Sequence, residues 1–130
     1  MLKNDFVRWK LPAILWALII MALTSYPQLS VPDFGFDPMD KLAHFAVYFV
    51  LAFLVTRALV QDNIKTLNGI IFKSFLINGG FALFDEVHQI PIPGRVGDIV
   101  DWSADILGII FGLLAFKILH SYILIRKVTE

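Results

Sequence analysis

Four long apolar segments, separated by short polar ones, dominate this chain of 130 residues. They lie at about 10–26, 41–60, 67–86 and 99–119. An α-helix needs about 20 predominantly apolar residues to cross about 30 Å of hydrocarbon, so such segments are typical of membrane spans. Hydrophobic residues make up 58% of the chain and charged residues 17%, against about 50% and about 25% in soluble domains. We therefore expect an all-α integral membrane protein with four transmembrane helices in one compact bundle, a single domain over residues 1–130.

The basic residues are distributed unevenly between the two ends of these segments. In a four-span arrangement, only Lys41 and Arg95 lie on one side. The other side holds Lys3, Arg8, Lys10, Arg57, Lys65, Lys73, Lys117, Arg126 and Lys127. Because basic residues favour the cytoplasm, both termini are predicted to be cytoplasmic and residues 85–98 to face outward. The basic stretch after residue 119 is expected to be a tail.

The composition also excludes several classes of function. The chain has no cysteine, so disulfides, thiolate nucleophiles and Cys-ligated zinc are absent. It has no basic run, and nucleic acid is therefore not an expected partner. A basic start before an apolar segment also occurs in signal peptides, but the first segment ends in Thr-Ser-Tyr-Pro without a small-residue cleavage signal. This ending favours a membrane anchor.

Most polar residues of the apolar segments lie on single helical faces. Asp98, Asp101 and Asp105 are spaced i, i+3 and i+7, so they share one side of the fourth helix. Gly108 and Gly112 extend this side and indicate close helix packing. The second segment carries Lys41, His44 and Tyr48 on one face, with Asp40 one turn before His44, and the third ends in Asp85, Glu86, His88 and Gln89.

All these polar groups lie at the same predicted end of the bundle, beneath the loop that contains Arg95. A carboxylate as deep as Asp105 costs about 2.5–3.5 kcal/mol on insertion scales, so it is expected to face a partner or water. We therefore predict an outward-opening polar pocket. The candidate ligand-binding residues are Lys41, His44, Tyr48, Gln89, Arg95, Asp98, Asp101 and Asp105.

The residue types leave three interpretations of this pocket open. Lys41 and Arg95 suit a lipid phosphate, which arginine can bind in a bidentate manner. Carboxylates with histidine also suit a divalent cation, for which the candidate ligands are Asp40, His44, Asp85, Glu86, His88 and Asp101. For acid–base catalysis the candidates are Asp85, Glu86 and His44. The alternative to all three is a structural ion-pair network, in which Lys41 and Arg95 neutralise Asp85, Asp101 and Asp105.

The polar residues at these positions form three motifs that follow one another along the chain. They are Asp40-Lys41-x-x-His44 with Tyr48, Asp85-Glu86-x-x-Gln89, and Pro93-Gly94-Arg95 followed by Asp98-x-x-Asp101-x-x-x-Asp105-x-x-Gly108-x-x-x-Gly112. In this order and spacing the chain resembles the VanZ-like family of small bacterial membrane proteins. The position of Asp105 is Asn or Asp in that family.

The resemblance implies a four-helix bundle in the bacterial plasma (inner) membrane. The founding member of the family is linked to resistance to teicoplanin, a glycopeptide that binds cell-wall precursors outside the membrane. Membrane lipids or lipid-linked precursors are therefore the expected partners, and a homo-oligomer is an open alternative. The resemblance supplies no reaction, so it does not decide whether the chain is an enzyme.

Overall fold

The computed structural model describes residues 2–27, 38–61, 66–95 and 97–129, and every regular element in these ranges is helical. Helix α1 (Leu2–Asp5), a π-helical turn (Phe6–Lys10) and α2 (Leu11–Thr24) follow one another and precede α3 (Pro38–Leu59), α4 (Leu67–Gln89) and α5 (Ile99–Thr129). Four stretches are long and apolar enough to cross a membrane: Phe6–Thr24, Pro38–Leu59, Leu67–Gln89 and Ile99–Arg126. The prediction of an all-α protein with four such helices is confirmed.

The helices begin at residues that suit the first turn. Helix α3 starts at Pro38, whose missing N–H costs nothing there, and has Asp40 in its first turn. The side chain of Thr66 caps α4 by accepting a hydrogen bond from the Gly69 amide at 3.2 Å. Asp98 caps α5 in the same way, because its Oδ1 accepts from the Val100 amide at 2.8 Å.

Helix α5 is longer than the sequence analysis predicted. It continues to Thr129, so the segment after residue 119 is helical where a basic tail was expected. Beyond Gly112 the chain contains neither glycine nor proline, and nothing in its local sequence therefore ends the helix.

The four long helices alternate in direction, and this brings four helix ends together. The C-terminal end of α2 contacts that of α4 through a hydrogen bond between Thr24 and Asp85. The N-terminal parts of α3 and α5 are joined at the same end by His44 and Asp105. Because successive helices run in opposite directions, polar residues that lie far apart in sequence meet at this shared end of the bundle.

The core lies where α3 crosses α5. A Cβ added to Gly108 would overlap the carbonyl oxygen of Phe45 and lie 3.0 Å from its carbonyl carbon. One added to Gly112 would overlap the Phe49 carbonyl oxygen. The two backbones therefore approach more closely than any side chain at these positions would allow, as the spacing of the glycines predicts. Buried around the crossing are Ile20, Tyr48, Leu51, Ala52, Ala82, Ile109 and Leu113.

The outer surface of the bundle is apolar. Leu18, Phe72 and Ile118 are 59%, 64% and 70% exposed. Several polar groups, by contrast, have partners inside the bundle: Thr56 Oγ1 lies 2.8 Å from Ser74 Oγ, and Trp16 Nε1 donates to the Val47 carbonyl at 2.9 Å. An apolar exterior with polar groups turned inward suits a hydrocarbon solvent.

Candidate functional site

Lys41 lies at the centre of an acidic group at the start of α3 and α5. Its ammonium group forms an ion pair with Asp101, and it lies 3.2 Å from Asp40 Oδ2 and 3.5 Å from Asp98 Oδ2. Asp98 and Asp101 face Lys41 together because they are one helical turn apart on α5. The positive charge of Lys41 is thus shared among three carboxylates.

One turn deeper, His44 pairs with the buried carboxylate of Asp105. His44 Nδ1 lies 2.9 Å from Asp105 Oδ1, and His44 Nε2 lies 3.9 Å from Asp101 Oδ2. Asp105 is 0% exposed, and its second oxygen, Oδ2, is buried without a hydrogen-bond partner among the described residues. Asp105 therefore points into the bundle, and half of its carboxylate is unsatisfied.

Asp85 is the second fully buried carboxylate, and it is held by two hydroxyl groups. Thr24 Oγ1 donates to its Oδ1 at 2.6 Å, and Tyr48 OH donates to its Oδ2 at 3.0 Å. Asp85 and Tyr48 are among the site residues predicted from the sequence, whereas Thr24 is not. A threonine at the end of an apolar segment carries no signal that would identify it, since its role depends on a contact across 61 residues.

Glu86 joins the end of α4 to the start of α5. Its Oε2 accepts a hydrogen bond from the Asp98 amide at 3.1 Å, while its Oε1 is buried without a partner among the described residues. Gln89, one turn further along α4, is likewise buried, and its Nε2 has no partner in the part of the chain that the structure describes. Glu86 and Gln89 thus add a free acceptor and a free donor to this end of the bundle.

The Pro93-Gly94 turn places Arg95 over the end of α2. Gly94 has a φ of 76°, and the Arg95 amide donates to the Ile92 carbonyl at 3.0 Å. Proline followed by a glycine with positive φ is the arrangement of a type II turn. The guanidinium group of Arg95 donates to the carbonyls of Leu23 at 3.1 Å and Tyr26 at 3.4 Å.

The predicted structural ion-pair network is therefore present only in part. Lys41 pairs with Asp101, but the partners of Arg95 are backbone carbonyls at the negative end of the α2 dipole. Asp85 has hydroxyl partners, and Asp105 has His44. His88 lies apart from the other candidates, since its Nε2 is 2.9 Å from Ser25 Oγ and its ring stacks on Phe84.

Two cavities open at this end of the bundle. One of about 160 Å³ lies between α2, α3 and α4, and its walls include Asp40, His44, Tyr48, Asp85 and Arg95 together with apolar side chains. A second, of about 340 Å³, lies between α4 and α5; Glu86, Asp98 and Trp102 line it among otherwise apolar side chains. Of the predicted ligand-binding residues, His44, Tyr48 and Arg95 line the first cavity and Asp98 lines the second. The other four, Lys41, Gln89, Asp101 and Asp105, line neither of them.

Among the residues that the structure describes, two groups of acids with His44 are compact enough to hold a metal ion. Asp40, His44 and Asp101 form one, and His44, Glu86 and Asp105 form the other; in each, the ligand atoms lie within 4.8 Å of one another. Asp85 and His88, also predicted as metal ligands, belong to neither group. The site as a whole is acidic, because its carboxylates are more numerous than its two bases, Lys41 and Arg95. The carboxylates are those of Asp40, Asp85, Glu86, Asp98, Asp101 and Asp105.

Comparison with known proteins yields a family but no individual relative. Neither the curated proteins nor the solved structures include a significant match. A family model described as VanZ/LLP1 matches residues 7–120, a range that reaches from the first long apolar stretch to residue 120 of α5 and includes every residue of the site. With these helices, this match indicates a multi-pass membrane protein. The chain belongs to the VanZ/LLP1 family.

Proposed function

We propose that this protein binds the phosphate-bearing headgroup of a membrane lipid or lipid-linked precursor in the cavity between α2, α3 and α4. The observation that carries the proposal is the composition of the cavity wall, where apolar Ile20, Leu23 and Val47 lie beside His44 and Arg95. The carboxylates of Asp40 and Asp85 belong to the same wall. A lipid headgroup and the first carbons of its chain present the same combination of a charged and an apolar surface. The cavity of about 160 Å³ is smaller than the about 300–1,000 Å³ that encloses a whole drug-sized ligand, so it suits a headgroup whose chain stays in the bilayer.

Arg95 is the group that we expect to contact the phosphate. A guanidinium group has five N–H donors, and within the described ranges Arg95 uses two of them, on the Leu23 and Tyr26 carbonyls. Lys41 is less suitable, because three carboxylates surround it and would repel an approaching anion. Binding by Arg95 also leaves the phosphate beside His44, which lines the same cavity.

The proposal includes an orientation in the bacterial plasma membrane. At the end of the bundle opposite to the site, the guanidinium groups of Arg8 and Arg57 lie 5.2 Å and 4.5 Å from the ring centroid of Trp9. This basic and aromatic end suits the cytoplasmic interface of the membrane. In that orientation both termini are cytoplasmic and the site faces the outside of the cell. A lipid-linked cell-wall precursor at the outer surface is then within reach, in agreement with the teicoplanin-resistance theme of the family.

Photo-crosslinking in cells tests this proposal. A photoreactive amino acid at position 43, where Ala43 lines the cavity, should capture phosphate-bearing lipids that mass spectrometry can identify. The same amino acid at position 118, where Ile118 is 70% exposed on the apolar surface, reports contact with bulk lipid. An adduct profile at position 43 that equals the profile at position 118 would count against headgroup binding.

The matched variants are Arg95→Gln and Arg57→Gln. Hydrogen bonds to charged groups contribute about 1.5–3 kcal/mol, so Arg95→Gln should lower the yield of the adduct about tenfold or more. Arg57→Gln removes the same charge at the opposite end and should leave the yield unchanged. Equal yields from the two variants would show that Arg95 does not bind the headgroup.

A second candidate function is acid–base catalysis on lipid-linked cell-wall substrates, which the contact between His44 and Asp105 favours. A carboxylate at 2.9 Å from Nδ1 orients an imidazole ring and leaves its Nε2 to accept or donate a proton. His44 also lines the cavity next to Asp85, a further candidate acid or base. Glu86, the third catalytic candidate, lines the neighbouring cavity.

Purified protein incubated with polyprenyl phosphates and pyrophosphates separates the two functions. Catalysis predicts release of phosphate that His44→Gln or Asp105→Asn abolishes, while the adduct at position 43 still forms. If the wild-type protein forms the adduct but releases no phosphate, it is a binding protein and the catalytic candidate is wrong. A purely structural role predicts a third pattern, in which Gly108→Leu abolishes function while Arg95→Gln and Asp105→Asn retain it.

A further inference from the structure

Two carboxylate oxygens at the contact of α3, α4 and α5 are buried without a hydrogen-bond partner. They are Glu86 Oε1 and Asp105 Oδ2, and their side chains belong to residues that are 7% and 0% exposed. An unsatisfied buried acceptor costs about 1–3 kcal/mol, and more if it is charged. The described protein contacts leave both oxygens without a partner, so each of them needs a proton, a water or a ligand.

The geometry around these oxygens suits a metal ion. One ligand atom from each of His44, Glu86 and Asp105 lies within 4.8 Å of the other two. Three atoms with separations of at most 4.8 Å lie no more than about 2.8 Å from a common point, close to the 2.3–2.6 Å of Ca²⁺–oxygen bonds.

The protein's own cations do not occupy this position. The ammonium group of Lys41 pairs with Asp40 and Asp101, and so it already supplies positive charge to the other compact group of acids around His44. Arg95 donates to backbone carbonyls at the end of α2. Neither Lys41 nor Arg95 therefore neutralises the carboxylates of Glu86 and Asp105.

We propose that His44, Glu86 and Asp105 bind a divalent cation that joins α3, α4 and α5. Imidazole nitrogen suits Zn²⁺, and carboxylate oxygen suits Mn²⁺, Mg²⁺ and Ca²⁺. A set of one nitrogen and two carboxylates therefore favours Mn²⁺ or Zn²⁺ over the purely oxygen-seeking ions. The Asp98 amide, which donates to Glu86 Oε2, holds one ligand in position from outside the site.

This cation is independent of headgroup binding, although His44 also lines the headgroup cavity. It changes the charge balance of the site, because a divalent ion offsets two of the carboxylates near the cavity. The binding test uses protein in detergent without lipid, so its failure leaves the crosslinking result untouched. A failed crosslinking experiment likewise leaves metal binding untouched.

The experiment is a titration of the full-length, chelator-treated protein with MnCl₂ or ZnCl₂, followed by calorimetry and thermal unfolding. We expect one saturable site per chain and an unfolding midpoint that rises with metal concentration. Glu86→Gln and Asp105→Asn should each weaken binding at least tenfold. Asp5→Asn, which removes an exposed carboxylate of α1 at the other end of the bundle, should bind the metal as the wild type does.

A spectroscopic measurement keeps the proposal testable if a carboxylate variant does not fold. With ¹⁵N-labelled histidine, bound Mn²⁺ should show hyperfine coupling to one imidazole nitrogen. The coupling should disappear in His44→Gln and persist in His88→Gln and His120→Gln. Absence of saturable binding, unchanged binding in both carboxylate variants, or a loss in Asp5→Asn equal to that in Glu86→Gln would each overturn the assignment.

Discussion

Replacement of Gly108 by alanine tests the close crossing of α3 and α5. The added Cβ would overlap the Phe45 carbonyl oxygen and lie 3.0 Å and 3.1 Å from the Phe45 carbonyl carbon and Cα. All three atoms belong to a helix backbone, so no side-chain rotation can relieve the overlap. The two helices must move apart, and overpacking of this kind costs about 1–3 kcal/mol.

Gly80→Ala is the matched control. Gly80 lies in α4, and a Cβ added there meets no atom within 4 Å. Alanine is favoured over glycine in a helix by about 1 kcal/mol, and both variants gain this contribution. The difference between their free energies of unfolding therefore isolates the overpacking at Gly108, and we expect Gly80→Ala to be more stable by about 1–3 kcal/mol.

Reversible unfolding in mixed micelles with increasing detergent denaturant gives both free energies. Equal stability of the two variants would refute the close crossing.

The same substitution has a second, local consequence at the site, because Gly108 lies one turn from Asp105 and Phe45 follows His44 in the chain. Separation of the helices should lengthen the 2.9 Å contact between His44 and Asp105, so Gly108→Ala should also weaken Mn²⁺ binding.

Two further predictions concern buried hydrogen bonds. Trp16 Nε1 donates to a backbone carbonyl of α3 at 2.9 Å, whereas Trp102 Nε1 is buried without a partner among the described residues. Trp16→Phe should therefore lose about 1 kcal/mol more stability than Trp102→Phe, as measured by the same unfolding assay. Tyr48→Phe leaves the buried carboxylate of Asp85 with Thr24 as its remaining donor and should cost about 1–3 kcal/mol. Additive effects of Tyr48→Phe and Thr24→Val would show that the two hydroxyl groups do not share this carboxylate.

The helices and the faces of the site could be predicted because they depend on short-range patterns. Hydropathy along the chain is enough to locate four spans, since a helix in hydrocarbon satisfies its own backbone. The spacing of Asp98, Asp101 and Asp105 places them on one face whatever the rest of the chain does. Proline and acid at the start of α3 likewise act within one turn.

The partners of the site residues could not be predicted, since they depend on contacts between distant segments. Arg95 donates to the carbonyls of Leu23 and Tyr26, and every residue has a carbonyl, so no sequence signal marks these two. The hydrogen bond from Thr24 to Asp85 joins the first span to the third and requires the packing angle of α2. His88 was expected near the acids because it lies close to Glu86 in sequence, but its side chain leaves α4 toward Ser25.

The length of α5 has a mechanical consequence. At about 1.5 Å per residue, its 31 residues extend about 46 Å, whereas the 22 residues of α3 extend about 33 Å. About two turns or more of α5 therefore project past its neighbours at the end remote from Asp101 and Asp105. The helix is unbroken from Ile99 to Thr129 and is packed tightly against α3 at Gly108 and Gly112. We therefore expect a force on its projecting part to reach Asp101 and Asp105 through the helix backbone.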